Sequence, residues 1–417
     1  MYRILPLPHD TISVSLPHSK SVTHRILILA GLNRGQTAIQ DQLVAEDTQI
    51  TLKALCVLGM KYTQDRETLK VNRPIGKTKG GKIFLGNSGS SARFLLPLAA
   101  YADHPIQFKG IERLHARPFA ELFLALDFLG VRYKSCEYSL PATIYPGPVA
   151  GGVVRFKKLP SSQMVTALML SALWMENDLT IYLPKRIPSQ PYISMTFQMM
   201  KKLGLQIEFN GQTIWIPATK PSYDWNFRVE KDLSAASYWV ILGLINDVKV
   251  VLQNVTLPSF QGDERIFEIA ESVGGQVVLY EDRVEITGSV QSGLEMNCGD
   301  IPDLVPALSV LALFAPKKFT LTNVKHLEFK ESNRIKAIRH NIQSLGGRSD
   351  YKNGVLQIYP AKRYKGSIIK TFDDHRIAMS FAVAGTRISD TVIDRPSCVE
   401  KSYPQFWQHF DWWKETK

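Results

Sequence analysis

An α/β fold, with two similar domains of three repeated βαβαββ units around buried parallel helices, follows from three observations on this 417-residue chain. A start rich in small, hydroxyl and charged residues runs into an apolar helix, and it recurs at Lys20, Ser90, Ser162, Ser234, Asp303 and Asp374. These anchors lie about 70 residues apart, the mark of a duplicated unit. Each apolar helix is followed by a second, amphipathic one, and five of these six end at glycine. Short alternating runs between the helices read as strands.

The first copy shows the pattern. In Ser19–Leu32, S-K-S-V-T-H-R-I-L-I-L-A-G-L, hydroxyl groups stand where a helix leaves backbone N–H groups unpaired. The body from Ile26 to Leu32 has too few polar positions for a surface helix and reads as buried. Lys20, Ser21 and Arg25 in its first turns make that end a site for anions. The amphipathic partners are expected to start at Asp47, Arg117, Tyr192, Asp263, Ser332 and, in the tail, Tyr403. The glycine stops supply left-handed caps. Strands are expected at Thr213–Pro217, Val284–Gly288 and Val355–Pro360, among others. The division between halves falls near Val229–Asp232, and the stretch before Ser19 has the freedom to pair with either half.

Composition narrows the class. Hydrophobic residues at 45% and charged residues at 21% are ordinary for a globular protein of two domains. No apolar run approaches the roughly 20 residues needed to span a bilayer, and the start, M-Y-R-I-L-P-L-P-H-D, has no long apolar stretch. Cys56, Cys136, Cys298 and Cys398 lie far apart and read as reduced thiols of a cytoplasmic protein. The net charge of +12 comes from scattered Lys and Arg, without the stripe a nucleic-acid binder shows. A cleft for small anionic substrates fits that charge.

Conventional signatures are absent. Gly76-Lys77-Thr78 ends like a phosphate-binding loop, but the earlier glycine such a loop requires is absent. No metal-ligand spacing occurs, so neither a metal nor a cofactor is expected. Instead, Lys20, Arg25, Arg93, Arg117, Lys330, Arg334, Arg376 and Lys401 fall at or just before helix starts. If the helix N-termini converge, dipoles and cations together hold polyanions. Asp303 in D-I-P-D and Glu331 in K-E-S-N-R interrupt this field. Taken singly, Asp303 reads as a helix N-cap and Glu331 as an ion-pair partner of Lys330 or Arg334. In a cationic cleft both are poised for acid–base work.

From S-K-S-V-T-H-R through L-G-N-S-G-S-S-A-R, H-A-R-P, S-S-Q, D-I-P-D, K-E-S-N-R and D-D-H-R to E-K-S-Y-P, the chain resembles the 5-enolpyruvylshikimate-3-phosphate synthase family, a 3-phosphoshikimate 1-carboxyvinyltransferase. The resemblance implies two three-unit domains closing over the substrates, residues 19–229 forming one and 1–18 with 230–417 the other. It implies transfer of the enolpyruvyl group of phosphoenolpyruvate to the 5-hydroxyl of shikimate 3-phosphate, in aromatic amino acid biosynthesis, without a cofactor. Carried over by position, Lys20, Ser21, Arg25, Ser161, Ser162, Gln163, Ser189, Tyr192, Asp303, His326 and Lys330 hold shikimate 3-phosphate. Lys20, Asn87, Gly89, Arg117, Gln163, Arg334, Arg376 and Lys401 surround phosphoenolpyruvate. Asp303 takes the hydroxyl proton with Lys20 assisting, and Glu331 serves C3. Gly89 leaves the space that glyphosate-type inhibitors use, so sensitivity to glyphosate is expected.

The chain departs from the family at His18, His326 and Glu328, which bear on the crossover and on the edge of the shikimate site. The nearest rival, the UDP-N-acetylglucosamine enolpyruvyl transferase, carries K-N near its start and a reactive Cys; here the start is K-S and no Cys lies by Arg117. A non-catalytic anion-binding relative is the second rival, and a nucleic-acid binder the third. A monomer is expected from the family.

Overall fold

The apolar runs become six inner helices: Lys20–Leu32, Gly89–Leu98, Gln163–Ser171, Leu233–Asn246, Val305–Phe314 and His375–Gly385. The computed structural model in which they are seen describes residues 1–7 and 10–410. In the first, every residue but Ser21 is buried; in the last, all are. Burial on every side explains why these helices lack a polar face, and removing their side chains from water is their main stabilisation, at about 25 cal/mol per Å².

Five outer helices follow at Glu46–Val57, Ala120–Phe128, Pro191–Lys202, Arg265–Ser272 and Arg334–Ser344. Shortly after each comes a glycine at positive φ: Gly59 (105°), Gly130 (76°), Gly204 (77°), Gly274 (113°) and Gly346 (84°). Three start later than the sequence suggests. A short helix, Glu112–His115, and a turn hold Arg117 outside the second helix. A 3-10 turn, Gly262–Glu264, takes Asp263 from the fourth. Asn333, not Ser332, caps the fifth by accepting from Lys336 N at 3.1 Å. A sixth begins at Phe406–Phe410; the expected continuation through Trp412 and Trp413 lies outside the described residues.

Contacts part the chain into two compact units, His18–Val229 and Met1–Pro17 together with the chain from Glu230 on. In the first, three four-stranded sheets each pair two strands in parallel and two antiparallel. Gly81–Phe84 runs parallel to Ile106–Lys109, which pairs antiparallel with Ser139–Ile144, itself paired with Tyr133–Cys136. The inner helix makes the crossover that a parallel pair requires. The unit closes on itself, because its last strand, Trp225–Arg228, pairs in parallel with its first, Thr37–Gln40.

The second unit repeats this scheme with two strands taken from the chain's start. Thr11–Ser15 runs parallel to Lys249–Gln253, with Val14 opposite Leu252. Tyr2–Arg3 pairs antiparallel with Val392–Ile393, which runs parallel to Ile368–Ile369. The stretch whose pairing local pattern leaves open is therefore built into the later unit. Its core is one apolar cluster, from Ile4 and Ile12 through Trp239 and Phe381 to Phe406.

Candidate active site

In the unit His18–Val229, hydrogen bonds join the N-terminal turns of the three inner helices, so the helices run the same way. Ser19 caps the first, accepting from Val22 N at 3.4 Å. Lys20 Nζ donates to Asp47 Oδ2 at 3.0 Å, both groups being buried. The backbone carbonyl of Asp47 accepts from Ser91 Oγ (3.3 Å) on the second helix. Gln163, which opens the third, donates through Nε2 to Ser90 Oγ (2.9 Å) and accepts from Arg93 at 2.6 Å.

Arg25 is 2% exposed and fully engaged: its guanidinium donates to Thr196 Oγ1 (2.8 Å), to the Ser21 carbonyl (2.9 Å) and to the Tyr192 carbonyl (3.0 Å). Burial lowers its pKa to about 10, and the nearby Tyr192 opposes that shift. Ser161 Oγ accepts from Gln163 N at 3.3 Å, and Ser162 is buried beside it. Ser189 takes a left-handed conformation (φ 62°), and its carbonyl accepts from Tyr192 N at 3.2 Å. Arg117 lies across Gly89. A Cβ there would meet its Cζ and Nη1 at 2.5 Å. Its Nη1 donates to the Asn87 carbonyl at 3.4 Å. Gly89 thus makes room for a cation of the protein itself.

In the other unit the centre is Arg334, 1% exposed, at the start of an outer helix. Its guanidinium donates to Asp303 Oδ1 (2.7 Å), Glu331 Oε2 (2.6 Å) and Asp374 Oδ2 (2.9 Å). Burial disfavours its charge, but Asp374, Glu331 and Asp303 outweigh that and raise its pKa above the ordinary arginine range. Arg376, in the first turn of the last inner helix, donates to Asp303 Oδ2 (2.9 Å) and to the Tyr238 hydroxyl (3.4 Å). Tyr238 belongs to the fourth inner helix and Asp303 precedes the fifth, so three inner helices meet here as well.

Burial alone would raise the Asp303 pKa; the cations Arg376, Lys330 and Arg334 hold it well below the usual carboxylate range, against the charge of Glu331. The N-cap reading of Asp303 is corrected. The residue at the helix cap is Leu304, and the Asp303 carboxylate is drawn instead to two guanidiniums. Glu331 does pair with Arg334. His326 is held neutral: burial, then Lys330, lowers its pKa to about 3. Its Nε2 is buried and finds no hydrogen-bond partner among the described residues. Glu328 accepts from the Tyr351 hydroxyl at 2.6 Å. Lys401 is buried at the end of the 3-10 helix Pro396–Lys401.

Sequence reading missed Asp47 and Asp374 as charge partners. Asp374 caps the last inner helix through Arg376 N (3.0 Å) while binding Arg334 and Ser332 Oγ (3.0 Å). The available signal was their place at helix starts, Asp47 in the first turn of an outer helix and Asp374 just before an inner one.

Two solved structures share this architecture. The EPSP synthase of Acinetobacter baumannii matches with a TM-score of 0.82 and 23% identity, covering 98% of this chain and 97% of that one. The enolpyruvyl transferase NikO of Streptomyces tendae matches with 0.76 and 14%, covering 98% and 94%. At such identities the likeness is one of fold, and it defines the class: an enolpyruvyl-transferase architecture.

Sequence narrows this further. Residues 11–410 match the family described as EPSP synthase (3-phosphoshikimate 1-carboxyvinyltransferase). The 3-phosphoshikimate 1-carboxyvinyltransferase of Methanospirillum hungatei JF-1 is 33% identical over 406 residues, 95% of this chain and 94% of that one. That of Syntrophobacter fumaroxidans is 33% identical over 415 residues, 98% of each. This chain belongs to the EPSP synthase family.

Proposed function

We propose that the chain transfers the enolpyruvyl group of phosphoenolpyruvate to the 5-hydroxyl of shikimate 3-phosphate, releasing phosphate, and that the cluster of Asp303, Glu331, Arg334 and Arg376 carries the chemistry. The observation behind this reading is that two guanidiniums and two carboxylates interlock within 3 Å of one another in a buried setting.

While bound by Arg334 and Arg376, Asp303 is a poor base. Phosphoenolpyruvate carries a carboxylate and a phosphate suited to forked guanidinium donors. As these arginines turn to the substrate, Asp303 loses its counter-charges and its proton affinity rises. It then accepts the proton of the 5-hydroxyl, with Lys20 assisting, as the oxygen attacks C2. Glu331, freed from Arg334 in the same exchange, gains proton affinity, takes up a proton from water and delivers it to C3. The resulting tetrahedral intermediate expels phosphate, which carries off the proton held by Asp303, while Glu331 takes a C3 proton back.

Shikimate 3-phosphate is held by Lys20, Ser21, Arg25, Ser161, Ser162, Gln163, Ser189, Tyr192, Asp303, His326 and Lys330. Phosphoenolpyruvate is held by Lys20, Asn87, Gly89, Arg117, Gln163, Arg334, Arg376 and Lys401. Hydroxyls donate compactly where several must converge on one phosphate. No helix among the described residues is long and apolar enough to cross a membrane. We infer a cytoplasmic monomer.

The test is phosphate release by the purified chain with phosphoenolpyruvate and either shikimate 3-phosphate or UDP-N-acetylglucosamine. Release with the first acceptor alone is expected. Release with the sugar nucleotide alone, or with neither, would overturn the reading.

A further inference from the structure

Away from the clusters described above, the first unit carries a groove of about 680 Å³. It runs between the second outer helix, Ala120–Phe128, and the strand Gly152–Arg155 with the residues after it. The helix is apolar nearly all round. Leu122, Phe123, Ala125 and Leu126 are buried, whereas Leu124 and Phe128, four positions apart and so on one face, stay 54% and 66% exposed. Val153 on the strand, 41% exposed, continues this apolar wall. An outer helix that keeps water off one side has no reason of its own to carry Leu and Phe on the other.

The strand is the edge of its sheet. It pairs in parallel with Leu179–Tyr182 and, among the described residues, with no strand on its other side. Gly152 N and Phe156 N donate to the carbonyls of Asp178 (2.8 Å) and Tyr182 (3.0 Å). By the alternation of a strand, the N–H and C=O groups of Val153 and Arg155 point to the open side. The helix lies alongside, antiparallel to the strand. At its end the Leu129 carbonyl accepts from Ala150 N at 3.0 Å. Near its start Arg93 ties the Pro118 carbonyl (2.8 Å) to Gln163 (2.6 Å), which lies beyond the strand.

Charge completes the groove. Arg155, Lys157 and Lys158 line it and are exposed, against one carboxylate, Glu121. The Arg155 guanidinium lies over the Tyr182 ring at 3.7 Å, which holds it on the outer face of the sheet.

We propose that this groove docks an extended, acidic segment of a partner protein, which adds a strand to the free edge. Main-chain groups of Val153 and Arg155 complete the ladder, and Leu124, Phe128 and Val153 receive alternate apolar side chains. Carboxylates of the segment meet Arg155, Lys157 and Lys158. A second copy of this chain is the wrong occupant. Its own edge would bring the same three cations of each copy together, and like charges across a strand pair are destabilising.

The probe is a fluorescein-labelled peptide of about eight residues alternating valine and glutamate, long enough when extended to span the groove. Its binding to the full chain is read by fluorescence anisotropy at low salt. Saturable binding is expected, and the counterpart with lysine for glutamate should not bind. N-methylation of alternate residues, which blocks the ladder, should weaken binding about tenfold or more. So should the double variant Lys157→Glu/Lys158→Glu, and so should Phe128→Ser, which removes apolar area.

No binding at about 1 mM peptide would overturn the proposal. Binding that survives the N-methylation, the charge reversal or Phe128→Ser would overturn it too, because one of the three contacts would then be idle. Self-association of the wild type that Phe128→Ser abolishes would assign the groove to a second copy and defeat the partner reading. Thermal melts by circular dichroism check that the variants fold; should one not, the modified peptides decide on the wild-type chain alone.

Discussion

Arg334 binds three carboxylates with one guanidinium. Asp374 is 0% exposed and also caps a helix, so it is the partner that stays; Asp303 and Glu331 are the ones free to exchange. Removing the proton-transfer groups should then leave binding largely intact. Asp303→Asn and Glu331→Gln are each expected to lower kcat about a hundredfold or more while KM for either substrate changes only a few-fold. Steady-state kinetics check this, and near-normal kcat in either variant would remove that residue from the mechanism. Gly89→Ala should act in the opposite way. Its new Cβ takes the space of the Arg117 guanidinium, which must swing aside. KM for phosphoenolpyruvate should rise about tenfold, the worth of one well-placed charged hydrogen bond, with thermal stability unchanged. The residues proposed for the site were legible because their types recur at helix starts. Asp47 and Asp374 were not, since a carboxylate's partner 27 to 40 positions away leaves no trace in local pattern.

Helices were the most legible part of the fold, and their ends show what pattern can and cannot carry. The apolar runs set the inner helices within a residue or two, because an all-apolar stretch has nowhere to go but inside. The outer helix starts shifted by up to three residues where a 3-10 turn or a short helix intervened, a choice made by tertiary contacts. Glycine stops were read correctly because positive φ is a local demand. They are not equal, however. At Gly204 (φ 77°) a Cβ meets nothing within 4 Å, so Gly204→Ala should cost only the backbone strain, about 1–2 kcal/mol. At Gly59 (φ 105°) a Cβ would sit 2.3 Å from the Lys77 carbonyl oxygen, adding a backbone clash to the strain. Gly59→Ala should cost about 3 kcal/mol or more. Urea unfolding of the two variants separates these outcomes, and equal destabilisation would mean that the clash is relieved by movement of the loop.

The two units differ in how the chain supplies them, and this sets how each folds. Residues 18–229 are continuous, and the pairing of Trp225–Arg228 with Thr37–Gln40 closes the last repeat on the first. Among the described residues, the strands of that unit's sheets all come from within it. The other unit is discontinuous. Without residues 1–17, Lys249–Gln253 loses its parallel neighbour Thr11–Ser15, and Val392–Ile393 loses Tyr2–Arg3. Ile4, Ile12, Val14 and Leu16 leave the apolar cluster at the same time, at about 1.5–3 kcal/mol for each of these side chains. Domains of this size are marginal by about 5–15 kcal/mol, so the loss is decisive. A fragment of residues 18–229 should therefore unfold cooperatively in urea on its own. A fragment starting at Glu230 should not, until the first 17 residues are joined to it, for instance through a glycine linker beyond its last residue. Circular dichroism and urea titration of the three chains test this. Cooperative unfolding of the Glu230 fragment alone would show that the borrowed strands add stability without being required for the fold.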